Sequence, residues 1–211
     1  MLADGIGTSD IVARLNRVLD PVEAPLPAVR RGDGDLNGMP SPTGRVLKPA
    51  AVLAPLIMRE TGLSVVLTRR ADHLSAHAGQ IAFPGGRRQG EAEALHDTAL
   101  RESEEEIGLP ASKVRLIGRF DPYETVTGFQ ITPFVGLVEP GVDFRPDPSE
   151  VAEVFETPFD FLMNPANHVL EERMFAGQVR RYYAMPHDGR YIWGATAGLL
   201  KALADRFNRV F

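Results

Sequence analysis

The densest chemistry in the sequence is the run RESEEEIGL, Arg101–Leu109, with four glutamates at 102, 104, 105 and 106. On a helix, spacings of three and four residues gather Glu102, Glu105 and Glu106 on one patch. Three carboxylates on one patch suit a hard divalent cation; Mg2+ takes oxygen ligands at roughly 2.1 Å and keeps waters on the side facing a substrate. The same run is electrostatically awkward. A helix C-terminus already carries partial negative charge. Glu102 and Glu106 also form a like-charge i,i+4 pair, which costs roughly a few tenths of a kcal/mol. A bound cation would remove that repulsion. Taken alone, the run also reads as a solvated acidic helix face, so its surroundings must decide.

Immediately upstream stands FPGGRRQGE. Pro84, Gly85 and Gly86 end a strand, and glycine permits close backbone approaches that larger residues forbid. Exposed N–H groups in such a turn can bind phosphate oxygens. Arg87 and Arg88 add positive charge, and Arg69 and Arg70 add more from the preceding strand. A basic glycine turn feeding an acidic helix describes a site for a metal–diphosphate.

The elements that position these residues follow from periodicity. Residues 91–107 predict the best helix of the chain, stopped by Gly108 and Pro110. Its buried arc is Ala92, Leu95, Ala99, Leu100, Ser103 and Ile107. Glu106 lies nearest that apolar edge and Glu104 points to solvent. Residues 8–19 predict an amphipathic helix capped by Thr8 or Ser9. Residues 21–47, rich in proline and glycine, read as an extended arm or loop. AAVLAPLIM and SVVLTRR form a hairpin about RETGL, and GQIAFPGG is a further strand. KVRLIGRF and ITPFVGLVE read as strands. SEVAEVFETPFDFLMNP reads as an acidic loop with a short helix. VRRYYAMP and RYIWG give a final hairpin, and ATAGLLKALADRF a closing helix. Strands interrupted by helices predict an α/β (α+β) fold, a mixed sheet covered by helices. The expected division is an N-terminal helix and arm over 1–47 and a main domain over 48–211.

Composition narrows the function. The chain has 211 residues, 44% hydrophobic and 24% charged, ample for a core. A net charge of −5 argues against a nucleic-acid binder. With no cysteine, any metal must use oxygen or imidazole ligands, and a reducing cytoplasm is the expected compartment. No secretory signal or membrane span is expected.

Residues 86–109 resemble the signature of Nudix hydrolases: a glycine, a glutamate, then Arg-Glu-x-x-Glu-Glu-x-Gly. Arg101, Glu102, Glu105, Glu106 and Gly108 supply the latter part, and Glu93 stands at the upstream glutamate. The Gly86-to-Glu93 interval is one residue longer than usual, and Ser103 occupies a position more often alanine or aliphatic. The preceding segment, VLTRRADHLSAHAGQIAFPGG, is similar to that of the coenzyme A diphosphatases of this family, in Leu67, Thr68, Arg70, Gly79, Phe83, Pro84, Gly85 and Gly86. Ser75 stands where that pattern has arginine.

The resemblance implies a Nudix α/β/α sandwich with a mixed β-sheet, and Mg2+ or Mn2+ held by Glu102, Glu105 and Glu106. It implies hydrolysis of a nucleoside diphosphate linked to another moiety, here coenzyme A, giving 3′,5′-ADP and 4′-phosphopantetheine. Any one of Glu102, Glu105 and Glu106 is also a candidate base, and Arg101 is expected to hold the glutamates. Glu150 and Glu153 are candidates for a further ligand or base. Arg70, Arg69, His77, Gly85, Gly86 and Arg87 are the expected substrate contacts, with Tyr123 and Phe129 as candidate adenine platforms. Other Nudix substrates such as ADP-ribose, and a non-catalytic nucleotide sensor, remain alternatives. The expected partner is a coenzyme A-like small molecule, and a homodimer is possible.

Overall fold

The computed structural model describes residues 7–27, 31–38, 46–175 and 177–209. The elements run α1 (Thr8–Val18), β1 (Arg31–Gly32), β2 (Lys48–Arg59), β3 (Gly62–Arg70), β4 (Ile81–Ala82), β5 (Gly85–Arg87) and α2 (Leu95–Ile107). There follow β6 (Val114–Arg119), β7 (Tyr123–Glu124), β8 (Phe129–Val138), β9 (Val151–Pro158), α3 (Phe159–Met163), β10 (Val169–Phe175), β11 (Gln178–His187), β12 (Arg190–Trp193) and α4 (Gly194–Phe207).

Strands β1 to β9 form one mixed sheet. Its spine is the parallel pair β2–β8, in register from Lys48↔Phe129 to Ile57↔Val138. The β2–β3 hairpin closes at Arg59↔Gly62, as the sequence predicts. Both β2 and β3 are near-continuous apolar runs because both of their faces are covered. Ala54, Leu56, Val65 and Leu67 face a core shared with α1, α3 and α4. Ala51, Leu53, Ile57 and Val66 face a second core shared with α2. The result is an α/β/α sandwich. Strands β10, β11 and β12 make a separate antiparallel sheet whose base is covered by α4. The predicted arm lies partly outside the described residues. Helix α1 buries Ile11 and Leu15 in the same core as α4.

Several boundaries differ from expectation. Helix α1 is preceded by Gly7 and neither Thr8 nor Ser9 makes a capping bond at its start. Helix α2 begins at Leu95, so Ala92 and Glu93 lie ahead of it. GQIAFPGG is not one strand. Ala82 pairs with Thr68 of β3, and after Pro84 the chain changes partner, so that Gly85 pairs with Val52 of β2. Residues 151–158 are a strand rather than an acidic loop: Val151, Phe155 and Thr157 are buried, while Glu153 and Glu156 pair with arginines. Strand β10 was not foreseen. Among the described residues no helix is long and apolar enough to cross a membrane.

Candidate active site

Two glycines bring strand and helix together at the site. Gly85 has φ +151, and a Cβ there would stand 2.4 Å from the Ala51 carbonyl and 2.6 Å from the Val52 Cα. Only glycine lets β5 lie this close to β2. At Gly86 a Cβ would stand 2.4 to 2.8 Å from the Glu102 carboxylate. The missing methyl at Gly86 is therefore the space that Glu102 occupies.

Helix α2 carries its acids on three differently exposed sites. Glu106 is only 4% exposed. Its Oε2 accepts from the Gly85 N–H at 3.1 Å, and Oε1 lies 3.7 Å from Arg70 Nη1. Burial pushes its pKa up to about 7, against the pull of Gly85 and Arg70. Burial raises Glu102 as well, against the pull of Arg101. Glu105 is exposed, as is Glu104.

Arg101 answers the crowding of charge. Its Nε donates to Glu93 at 2.8 Å. Its Nη1 donates to Glu102 at 2.8 Å and to Glu105 at 3.0 Å. Nη2 reaches the Arg87 carbonyl at 3.3 Å. One planar guanidinium thus fixes three carboxylates and the glycine strand, a geometry that lysine lacks. Glu93, ahead of the helix, also accepts from the Gln89 N–H and is held below its ordinary pKa, chiefly by Arg101.

The C-terminus of α2 organises a second loop. Gly108 adopts φ +65 and donates to the Glu104 carbonyl, and Leu109 donates to that of Ser103. The N–H groups of Arg145 and Asp147 satisfy the Ile107 and Glu106 carbonyls at 2.8 and 2.9 Å. This anchors the 145–150 loop beside the acids. Glu150, whose carbonyl accepts from Ala71 N–H, adds negative potential at both Glu102 and Glu106.

The remaining predicted residues divide. Arg70 joins the site through Glu106. Arg69 turns to Asp72 at 2.8 Å and to Glu153 at 3.7 Å. Glu153 also pairs with Arg190, so the two acids of SEVAEVFE part company, and only Glu150 faces the site. His77, with φ +59, is exposed and meets Gln80 at 2.9 Å. The Gly85 N–H serves Glu106 instead of standing open for a phosphate. Arg87 lies 5.9 Å from the Phe129 ring. Tyr123 is no adenine platform: it is buried and donates to Asp33 at 2.8 Å.

Among the described residues, no three carboxylates or imidazoles stand together at metal-holding spacing. The donor set nonetheless fits a hard divalent cation. Glu106 and Glu102 are desolvated, all the donors are oxygens, and Glu150 adds to a negative potential that favours a cation. Sequence reasoning placed Glu102 and Glu106 correctly on the helix but did not foresee that the C-terminal carbonyls of α2 recruit the Glu150 loop.

Residues 47–176 match the NUDIX domain. An uncharacterized Nudix hydrolase, NudL, from Yersinia enterocolitica is 40% identical over 159 residues, covering 75% of this chain and 81% of its own. The NudL of Yersinia pestis is also 40% identical, covering 79% of its own length. Among solved structures, a NUDIX hydrolase from Alicyclobacillus acidocaldarius is similar at 19% identity, covering 79% of this chain and 95% of that one, with a TM-score of 0.48. The chain belongs to the Nudix hydrolase family.

Proposed function

We propose that this hydrolase cleaves the diphosphate of coenzyme A or its acyl derivatives, giving 3′,5′-ADP and 4′-phosphopantetheine. One observation carries the reading. The coenzyme A-type segment Val66–Gly86 contains Arg70 and Gly85, and both of those residues meet the same carboxylate, Glu106, at 3.7 and 3.1 Å. The segment that resembles the subgroup is therefore built into the acid site.

Glu102 and Glu106, with the exposed Glu105 of the same helix, would hold Mg2+ or Mn2+. When bound, the ion supplies charge neutralisation on the diphosphate and lowers the pKa of water. Arg101 holds Glu102 and Glu105 in place through charge-assisted hydrogen bonds. Arg70 puts a cation beside the site where a phosphate would lie. Glu150 stands free of any ion pair among the described residues and is the group best placed to take a proton from the attacking water.

The test is a substrate panel. The protein is incubated with Mg2+ or Mn2+ and coenzyme A, ADP-ribose or NADH, and products are resolved by chromatography. Release of 3′,5′-ADP from coenzyme A ahead of the others is expected. Preference for ADP-ribose would overturn the substrate, and binding without any cleavage would indicate a nucleotide sensor.

A further inference from the structure

Strand β10 is, among the described residues, an outer strand of the small sheet with one edge open. Among the described residues it pairs only with β11, in unbroken register from Val169↔Ala184 to Phe175↔Gln178. Natural edges are usually blunted by bulges, proline, charged side chains or short length, and the charges on this one, Glu171, Glu172 and Arg173, are of both signs. This one is seven residues long and has neither bulge nor proline.

Its backbone polarity can be read from the opposite strand. Arg181, the partner of Glu172, gives its N–H to Asn37 Oδ1 at 2.7 Å, and its carbonyl accepts from Asn37 Nδ2 at 3.1 Å. Neither group is then available to Glu172. Antiparallel alternation therefore turns the N–H and C=O of Leu170, Glu172 and Met174 outward, onto the free edge.

That edge is complementary to itself. In an antiparallel pairing of two copies about a two-fold at Glu172, Leu170 meets Met174 of the second copy. Each of the three outward pairs exchanges two backbone hydrogen bonds. On one face Leu170 is 51%, Met174 63% and Val179 53% exposed in a single chain. Val179 already lies across from Met174. The pairing extends this into one apolar row across both copies. On the other face, Glu171 stands opposite Arg173 of the second copy, twice; its Oε2 accepts from the Tyr182 and Tyr191 hydroxyls, which leaves Oε1 for that arginine. Arg173 is exposed and makes no ion pair among the described residues. The two central Glu172 carboxylates are each already paired with their own Arg181 at 2.8 Å. We propose that the protein forms a two-fold homodimer by antiparallel pairing of β10 strands, joining two small sheets into one. Such an interface is isologous and closes on itself.

Charge reversal tests the register with the intact chain in sedimentation velocity. The unaltered protein is expected to be dimeric. Arg173→Glu sets two carboxylates against each other at both Glu171 pairs, and Glu171→Arg sets two guanidinium groups against each other at the same places. Each variant alone should dimerise at least about tenfold more weakly, because attraction becomes repulsion at two positions. Mixed in equal amounts, they should restore a dimer, since every cross-strand pair is again of opposite sign. Glu172→Pro removes an outward N–H not used by the hairpin and should also give monomer. Circular dichroism and retained turnover establish that the variants are folded. A monomeric parent protein, a dimer indifferent to Arg173→Glu and Glu172→Pro, or folded single variants that fail to pair when mixed would each overturn the proposal.

Discussion

Glu106→Gln separates the cost of the site from its use. Glu106 is buried, receives one N–H from Gly85, and has its pKa pushed up to about 7 from an ordinary 4.5. Keeping it ionised at pH 8 costs roughly 3 kcal/mol, at about 1.4 kcal/mol per tenfold change in proton affinity. The folded-state pKa lies above the unfolded one, so protonation favours the fold. That contribution is fully present below pH about 4.5 and is lost as pH rises through about 7. Glutamine is neutral throughout. It cannot satisfy both neighbours, because a carbonyl turned to Gly85 leaves its NH2 towards Arg70, a mismatch of about 1 kcal/mol. In chelator, the variant should therefore be more stable than the parent by about 2 kcal/mol at pH 8. For a chain of this size that is about 4–8 °C in Tm. At pH 5 the advantage should vanish. Thermal melts at the two pH values read this directly. In Mg2+ the order should reverse, because the parent binds the ion and the variant binds it poorly. Turnover of the variant should fall about 10²–10³-fold. A stability gap that does not change between pH 5 and pH 8, or full activity in the variant, would refute the reasoning.

Five further substitutions probe the supports. Gly86→Ala puts a methyl into the Glu102 carboxylate, whose flexible end can yield, so activity should fall by about 10²-fold with little loss of stability. Gly85→Ala meets backbone and keeps φ +151, so it should destabilise the fold by about 3 kcal/mol or more; equal behaviour of the two in melts and assays would contradict this division. Arg101→Lys cannot bridge Glu93, Glu102 and Glu105 at once, so kcat should drop about 10–100-fold with KM nearly unchanged, by analogy with lost outer-shell partners at metal sites. A rise in KM at constant kcat would make Arg101 a substrate contact instead. Glu150→Gln should cut turnover, whereas Glu153→Gln should spare activity and only weaken the pairing with Arg190; the opposite pattern would exchange their roles.

Much of this protein was legible in its sequence because local spacing fixes local geometry. The period of α2 alone put Ser103 and Ile107 inside, Glu106 at the buried edge and Glu104 in water. Short, near-continuous apolar runs on either side of RETGL marked the β2–β3 hairpin, and RESEEEIG with FPGG marked the chemistry. What tertiary structure decided was partnership. Whether Gly86 frees space for a phosphate or for Glu102 depends on a helix packing over it. Whether Glu150 or Glu153 reaches the site depends on which backbone carbonyls at the end of α2 capture the 145–147 loop. Tyr123 looked like a stacking surface until β7 buried it and turned its hydroxyl to Asp33. Strand 151–158 escaped notice because its glutamates are neutralised by arginines distant in sequence. Periodicity is a property of neighbours along the chain, whereas burial and charge pairing are properties of neighbours in space, and only the folded molecule brings those together.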